Sequence, residues 1–179
     1  MRNHNGMRPH DVVVLLKLLS FGNSGEGKKG ITNKSLAESL KISQAEITHS
    51  LKRSSFAGLL EPIQKRVNKQ SLLDFLKFGI KYVFPDQPGK LIRGIPTAHS
   101  AKPLSEKITS SDNFVWPTLK GNIKGQEITP LYSKVSEVVG DDLFLYQTLA
   151  LIDSIRVGKN REYKLASVEL EKLLFSVEK

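Results

Sequence analysis

Most metal sites and hydrolytic centres are built from histidine, cysteine and acidic side chains, and this sequence offers few of them in usable patterns. The four histidines, His4, His10, His49 and His99, are far apart, and none belongs to an HExxH motif. The chain has no cysteine, which excludes disulfide bonds, thiolate ligands and a cysteine nucleophile. No GxSxG motif is present, and no two carboxylates form a recognisable general acid and base pair. We therefore predict a non-enzymatic protein with no catalytic residues, metal or cofactor.

Residues 22–29 come nearest to a nucleotide-binding motif. Their sequence, GNSGEGKK, has the glycine spacing and the lysine, Lys28, of a phosphate-binding loop. However, Lys29 stands where serine or threonine would hold magnesium, and the preceding segment favours a helix over a strand. Asp153 follows an apolar run and could imitate the second metal ligand, but its helical surroundings predict that it faces solvent. We interpret the segment as a basic loop, and nucleotide hydrolysis is the least favoured hypothesis.

Positive charge is concentrated in the N-terminal half of the chain. Of the formal net charge of +9, residues 1–90 hold 15 Lys+Arg against 7 Asp+Glu, and residues 91–179 hold 12 against 11. This asymmetry indicates that one module of the chain binds a polyanion and that a second module does not. Nucleic acid is favoured over an anionic membrane surface as the polyanion. A solvated basic face is the alternative. Because we find neither a membrane-spanning apolar run nor a signal peptide, we expect a cytoplasmic protein.

Two short helices joined by a tight turn are predicted in the first half. Thr32 and Ser43 have the side chains of N-caps, and Glu46 follows Ser43 at the spacing of a capping box. Ile47 and Leu51, four residues apart, define the buried side of the second helix. A helix that starts at Pro9 and ends near Phe21 precedes this pair. A small β-hairpin over residues 63–70, with a basic tip, follows it.

The rest of the chain is predicted to be helical at both ends and irregular between. Ser71 can cap a helix that ends near Val83. Prolines are scattered through residues 85–113, which we interpret as a linker or irregular loop. Residues 114–116 and 123–129 could form a short hairpin. Asp142 and Asn160 mark the starts of two final helices.

The succession of helix, turn, helix, Gly-Leu-Leu and basic hairpin resembles the winged helix-turn-helix of bacterial transcription regulators of the multiple-antibiotic-resistance (MarR-like) type. The matching core and capping positions are Thr32, Leu36, Ala37, Leu40, Ile42, Ser43, Ile47, Leu51, Gly58, Leu59 and Leu60. Ala37 supplies the small side chain that two helices crossing at this angle need. Lys41 departs from the pattern, because many members have glycine in this turn.

The resemblance implies which residues contact DNA. In this family the second helix enters the major groove and the wing touches phosphates. The implied residues of the helix are Gln44, Ala45, Thr48, His49, Lys52 and Arg53. Of these, Gln44, Thr48 and His49 would contact base edges, and Lys52 and Arg53 would contact phosphates. Further phosphate contacts would come from Lys65, Arg66 and Lys69 on the wing and from Lys28, Lys29 and Lys34 before the first helix of the pair.

The expected fold is mainly α with a small β wing. A winged helix-turn-helix DNA-binding domain would occupy residues 1–84, and a linker with a C-terminal α+β segment for assembly or regulation would occupy residues 85–179. The resemblance implies a transcription regulator that binds duplex DNA sequence-specifically as a homodimer, because one recognition helix covers only a half-site. One alternative is a protein-interaction adaptor, or an antitoxin-like component, that binds a partner chain through the winged helix and the C-terminal half. Another is a winged helix that binds RNA.

Overall fold

The computed structural model describes residues 6–23 and 31–175, which are mainly helical with a few short strands. They form two compact units, one ending at Leu72 and the other beginning at Leu73. The boundary predicted at residue 84 lies further along the chain. The difference arises because the helical segment that begins at Lys69 and ends at Val83 contributes most of its length to the second unit.

Three helices and a hairpin make up the first unit. They are α1 (Pro9–Asn23), α2 (Asn33–Leu40), α3 (Gln44–Phe56), β1 (Leu60–Glu61) and β2 (Arg66–Val67). The aliphatic run from Val12 to Leu16 is fully buried, so that α1 forms the centre of this unit. Such a helix, apolar on nearly all sides, is stable only when it is surrounded by protein. It continues two residues beyond its predicted end at Phe21.

The predicted pair of helices and the tight turn between them are confirmed. Thr32 caps α2, and its hydroxyl accepts a hydrogen bond from the backbone N–H of Ser35 at 3.0 Å. Lys41 ends α2 in the left-handed conformation, with φ 54° and ψ 38°, which a lysine adopts less readily than glycine. Ser43 caps α3 by accepting from the backbone N–H of Glu46 at 3.2 Å. Leu51, predicted to be buried, is only half-buried.

The hairpin is shorter than predicted and begins earlier in the chain. Leu60 pairs with Val67 and Glu61 with Arg66, so each strand has two residues. The carboxylate of Glu61 accepts hydrogen bonds from the backbone N–H groups of two turn residues at 2.9 and 2.8 Å. The next helix begins at Lys69 rather than after Ser71, because the Asn68 side chain accepts from the Ser71 backbone at 3.2 Å.

The second unit consists of helices and a small closed sheet. Its first helical segment, whose first four residues belong to the first unit, runs from α4 (Lys69–Asp74) through a π-helical turn (Phe75–Gly79) to α5 (Ile80–Val83). The remaining elements are β3 (Leu91–Pro96), β4 (Phe114–Pro117), β5 (Ile123–Glu127), α6 (Val135–Val138), α7 (Leu143–Val157) and α8 (Asn160–Phe175). Two short 3-10 helices lie between β3 and β4. The interpretation of residues 85–113 as a linker is therefore wrong, because this segment contributes a strand and buried residues.

Each of the three strands β3, β4 and β5 pairs with the other two, which closes the sheet. β3 is antiparallel to both neighbours, whereas β4 and β5 are parallel, so the predicted hairpin between them is wrong. Gly94 pairs with Pro117 on one side and with Ile123 on the other. A Cβ atom on Gly94 would overlap the carbonyl oxygen of Trp116, so the close approach of the strands requires glycine here.

A buried polar cluster joins the sheet of the second unit to α7. Asp153, predicted to face solvent, is buried, and its carboxylate accepts hydrogen bonds from Thr97 Oγ1 (2.8 Å), Trp116 Nε1 (2.6 Å) and Arg156 Nη1 (2.7 Å). Burial raises the pKa of Asp153, while the charge of Arg156 and the three hydrogen bonds oppose the shift. Arg156 also donates to the carbonyl of Phe84 at 2.9 Å. These bonds satisfy the buried polar groups.

Candidate nucleic-acid interface

Most of the predicted site residues of α3 lie on its exposed side. Gln44, Ala45, His49 and Lys52 are exposed, and Thr48 is half-buried. The opposite side of α3 is fixed by Ile47, Ser50 and Ser54, all of which are buried in the first unit. Two small serines at this contact allow α3 to pack closely while its polar residues stay accessible.

The basic residues predicted outside α3 have different environments. Arg66 on β2 and Lys34 on α2 are exposed, and the Lys34 ammonium is 3.9 Å from Glu38. Lys65 is half-buried, has a φ of 50°, and donates through Nζ to the carbonyl of Ile31 at 2.8 Å. Lys69 is half-buried at the start of α4. Lys28 and Lys29, like most of the glycine-rich segment, lie outside the described residues.

Arg53 does not lie on the exposed side with the others. Its side chain is 11% exposed, and it donates to Asp11 through Nε at 2.8 Å and through Nη2 at 2.7 Å. Nη2 also donates to Glu46 at 2.6 Å. The hydrogen bond to Asp11 raises the pKa of Arg53 above its already high value. The guanidinium is thus committed to joining α3 to α1, and its prediction as a phosphate contact is corrected.

Glu46, the only acidic residue of α3, is bound within the same cluster. Its carboxylate accepts from Arg53 and lies 2.8 Å from His10 Nε2, instead of completing the predicted capping box with Ser43. Partial burial would raise the pKa of Glu46, but the hydrogen bonds and charges of Arg53 and His10 outweigh it and hold the pKa below its ordinary value of 4.5. The negative charge is therefore neutralised at the side of α3 that faces α1.

The cluster of His10, Asp11 and Glu46 has the residue types of a metal site, with potential ligand atoms within 4.8 Å of one another. The Arg53 guanidinium already stands among them, 3.3 Å from His10 Nε2 and hydrogen-bonded to both carboxylates. A second cation would be repelled by that charge at close range. We interpret the cluster as a structural ion-pair network.

Thr48 is tied to α2 by a residue that sequence reasoning missed. Asn33 Nδ2 donates to Thr48 Oγ1 at 3.0 Å, and the same hydroxyl donates to the carbonyl of Gln44 at 2.9 Å. The sequence alone does not indicate that an asparagine at the start of a helix bonds a side chain fifteen residues later. Only the packing of α2 against α3 brings the two side chains together.

A largely apolar groove of about 420 Å³ lies between α3 and the β1–β2 hairpin. It is lined by Asn33, Thr48, Leu51, Lys52, Ser55, Phe56, Leu60, Pro62 and Lys65. Phe56 is 76% exposed, and Ile63 at the nearby hairpin turn is 91% exposed. Sequence reasoning missed Phe56 as well, although an aromatic residue beside the basic face of a short helix was a usable signal.

Comparisons with known protein families, with curated proteins and with solved structures found no match to this chain. Among the helices of the described residues, none has the length and hydrophobicity that crossing a membrane requires. The arrangement of α3 and the hairpin is thus the main indication of function.

Proposed function

We propose that this chain is a non-enzymatic transcription regulator whose first unit is a winged helix-turn-helix that binds duplex DNA sequence-specifically. The order α1, α2, α3, β1, β2 and the left-handed turn at Lys41 support the fold. The observation that carries the proposal is the composition of the exposed side of α3. Gln44, His49 and Lys52 are accessible there, while the one carboxylate of the helix, Glu46, is paired with Arg53.

The paired state of Glu46 matters because DNA carries a dense array of negative phosphates. An unpaired carboxylate on a helix in the major groove would repel them. With Glu46 neutralised, α3 can present its polar residues to base edges and Lys52 to a phosphate. Arg66 on the hairpin and Lys34 on α2 add exposed cations in the same unit. Lys65 would contribute through the hydrogens that its bond to Ile31 leaves free.

Assembly as a homodimer and a bacterial, cytoplasmic setting belong to the proposed function as well. A single recognition helix reads only a half-site, so the regulator would bind its operator as a homodimer. The second unit would supply the assembly or regulatory surface. Such a protein would act in the cytoplasm of a bacterium, where the DNA is.

Fluorescence anisotropy with a labelled duplex, measured at several salt concentrations, tests the proposal. We expect the logarithm of affinity to fall linearly with the logarithm of salt concentration, by about 0.9 for each phosphate contacted. K52A and R66A should each weaken binding to every sequence and reduce that slope by about 1. K120A, which removes an exposed lysine of the second unit, is the charge-matched control and should change neither. Binding unaffected by K52A and R66A would contradict the proposed interface.

The apolar groove favours a second candidate function, a protein-interaction adaptor or antitoxin-like component. Phe56 is exposed beside a concave apolar surface, an arrangement typical of protein contacts. This candidate predicts stable co-purification with a partner from the native host and only charge-driven affinity for DNA. Under it, F56S would abolish co-purification and leave DNA affinity unchanged. Under the DNA-binding proposal, a duplex of selected sequence would be bound much more tightly than a random one.

A further inference from the structure

The bond between Asn33 and Thr48 restricts what the Thr48 hydroxyl can do. A threonine hydroxyl has one hydrogen to donate and two lone pairs to accept with. In Thr48 the hydrogen is used on the Gln44 carbonyl at 2.9 Å, and one lone pair is used by Asn33 Nδ2 at 3.0 Å. One lone pair remains. As long as both bonds are kept, the hydroxyl can accept one more hydrogen bond and cannot donate any.

An acceptor-only group distinguishes between bases in the major groove. Adenine and cytosine present amino groups there, at N6 and N4, which can donate to it. Guanine O6 and thymine O4 are acceptors themselves and would oppose the Thr48 oxygen without a hydrogen between them. A freely rotating hydroxyl would make no such distinction, because serine and threonine can pair with either kind of group.

We infer that Asn33 is a positioning residue that sets the base preference of Thr48. It holds the hydroxyl as an acceptor and thereby favours adenine or cytosine as the contacted base. The inference rests on the proposed DNA-binding function and names a specificity determinant within that site. Asn33 is suited to this role because it is half-buried at the wall of the groove, where its amide contacts Thr48 from the neighbouring helix.

Selection of bound sequences from a random duplex pool, by wild type and by variants, tests the inference. N33A should reduce discrimination at one base pair by about fivefold to tenfold, because a hydroxyl that is held only by its bond to the Gln44 carbonyl can rotate and donate to guanine or thymine instead. T48V keeps the side-chain shape, removes the hydroxyl and should change preference at the same base pair. The double variant should match T48V, since Asn33 acts through that hydroxyl. K34A, the neighbouring control, should weaken all sequences equally.

Four results would overturn the inference. One is an unchanged motif for N33A, and another is an equal loss of affinity for all sequences, which a merely structural role would produce. A third is an N33A effect that persists in the T48V background, because Asn33 would then contact DNA directly. Each of these leaves the wild-type motif intact and so leaves the proposed function standing. The fourth is a wild-type pool with no preferred sequence, in which case the proposed function fails together with the inference.

Discussion

Arg53 donates two hydrogen bonds to the carboxylate of Asp11, which lies 42 residues earlier in the chain and has no exposed side-chain surface. The pair links α3 to the central helix α1 and is extended by Glu46 and His10. Two parallel bonds between a guanidinium and a carboxylate fix orientation as well as distance. The rotation of α3 about its axis, and with it the choice of residues that face outward, is held by this contact.

We predict that R53A destabilises the protein by about 3 kcal/mol or more. The substitution leaves the buried carboxylate of Asp11 without its counter-charge, and unpaired buried charges are strongly destabilising. The free energy of unfolding, measured by circular dichroism during urea denaturation, gives the comparison. K52A removes an adjacent but exposed charge and should change stability by less than about 0.5 kcal/mol. Similar values for the two variants would mean that the pair has no structural role.

The pH dependence of the free energy of unfolding should show the contribution of Glu46 to stability. Because folding lowers its pKa below 4.5, Glu46 contributes stability that is present above pH 4.5 and is lost as pH falls through the folded-state pKa. E46Q should therefore lower stability at pH 7 and flatten the acid side of the stability curve. Urea denaturation between pH 3 and pH 7 measures both effects. E38Q, at an exposed and weakly paired position, should leave the curve unchanged. An E46Q curve parallel to that of wild type would contradict the assignment.

Asp153 is predicted to be essential to the second unit. D153A would leave the buried Trp116 N–H, the Thr97 hydroxyl and the Arg156 guanidinium without their shared acceptor, and should destabilise this unit by about 3 to 5 kcal/mol. Trp116 is the only tryptophan, so intrinsic fluorescence reports on this unit during denaturation. D112N, at an exposed position, is the control. Unchanged unfolding of D153A would show that the cluster contributes nothing to stability.

Substitution of Gly94 should prevent β3, β4 and β5 from forming the closed sheet. In G94A the added methyl group would overlap the Trp116 carbonyl and crowd Val115, both of which belong to β4. Overpacking against backbone cannot be relieved by a rotamer change, so we expect a loss of more than about 3 kcal/mol. G22A is the control, because among the described residues no atom beyond its chain neighbours and its own helix backbone lies within 4 Å of the added methyl group. Tryptophan fluorescence on heating would detect the loss, and an unchanged melting temperature for G94A would contradict it.

Features that depend on residues close in sequence were predictable. Thr32 and Ser43 were identified as caps because their partners lie three residues away, and the helices at Asp142 and Asn160 followed from equally local patterns. Features that depend on distant partners were missed. The sequence assigns Glu46 to its own N-cap, whereas in the structure it bonds Arg53, seven residues later in α3, and lies beside His10, which α1 brings in from 36 residues earlier.

In the second unit, even more of the structure depends on partners that are distant in sequence and were therefore not predicted. The periodicity of its helix predicts Asp153 at the surface, yet Asp153 is buried with its partners Thr97 and Trp116, which lie 56 and 37 residues earlier. The prolines around β3 predict a loop instead of a strand, and the strands that pair with β3 begin only after residue 113. Asn33 went unnoticed as part of the candidate interface for the same reason. Sequence reasoning thus recovers the helices that present the interface better than the side chains that orient it.

The closed sheet of the second unit has a consequence for how copies or partners can associate with it. An open sheet exposes unpaired backbone N–H and C=O groups along its outer strands, and these groups can recruit a strand from another chain. In the described part of the second unit, each of β3, β4 and β5 has a neighbouring strand on both sides, and only short stretches such as Leu91 to Arg93 of β3 pair on one side alone. The unit therefore offers little free strand edge for strand addition. We expect any assembly that it mediates to form chiefly through side chains, so that surface substitutions alter it without disturbing the sheet.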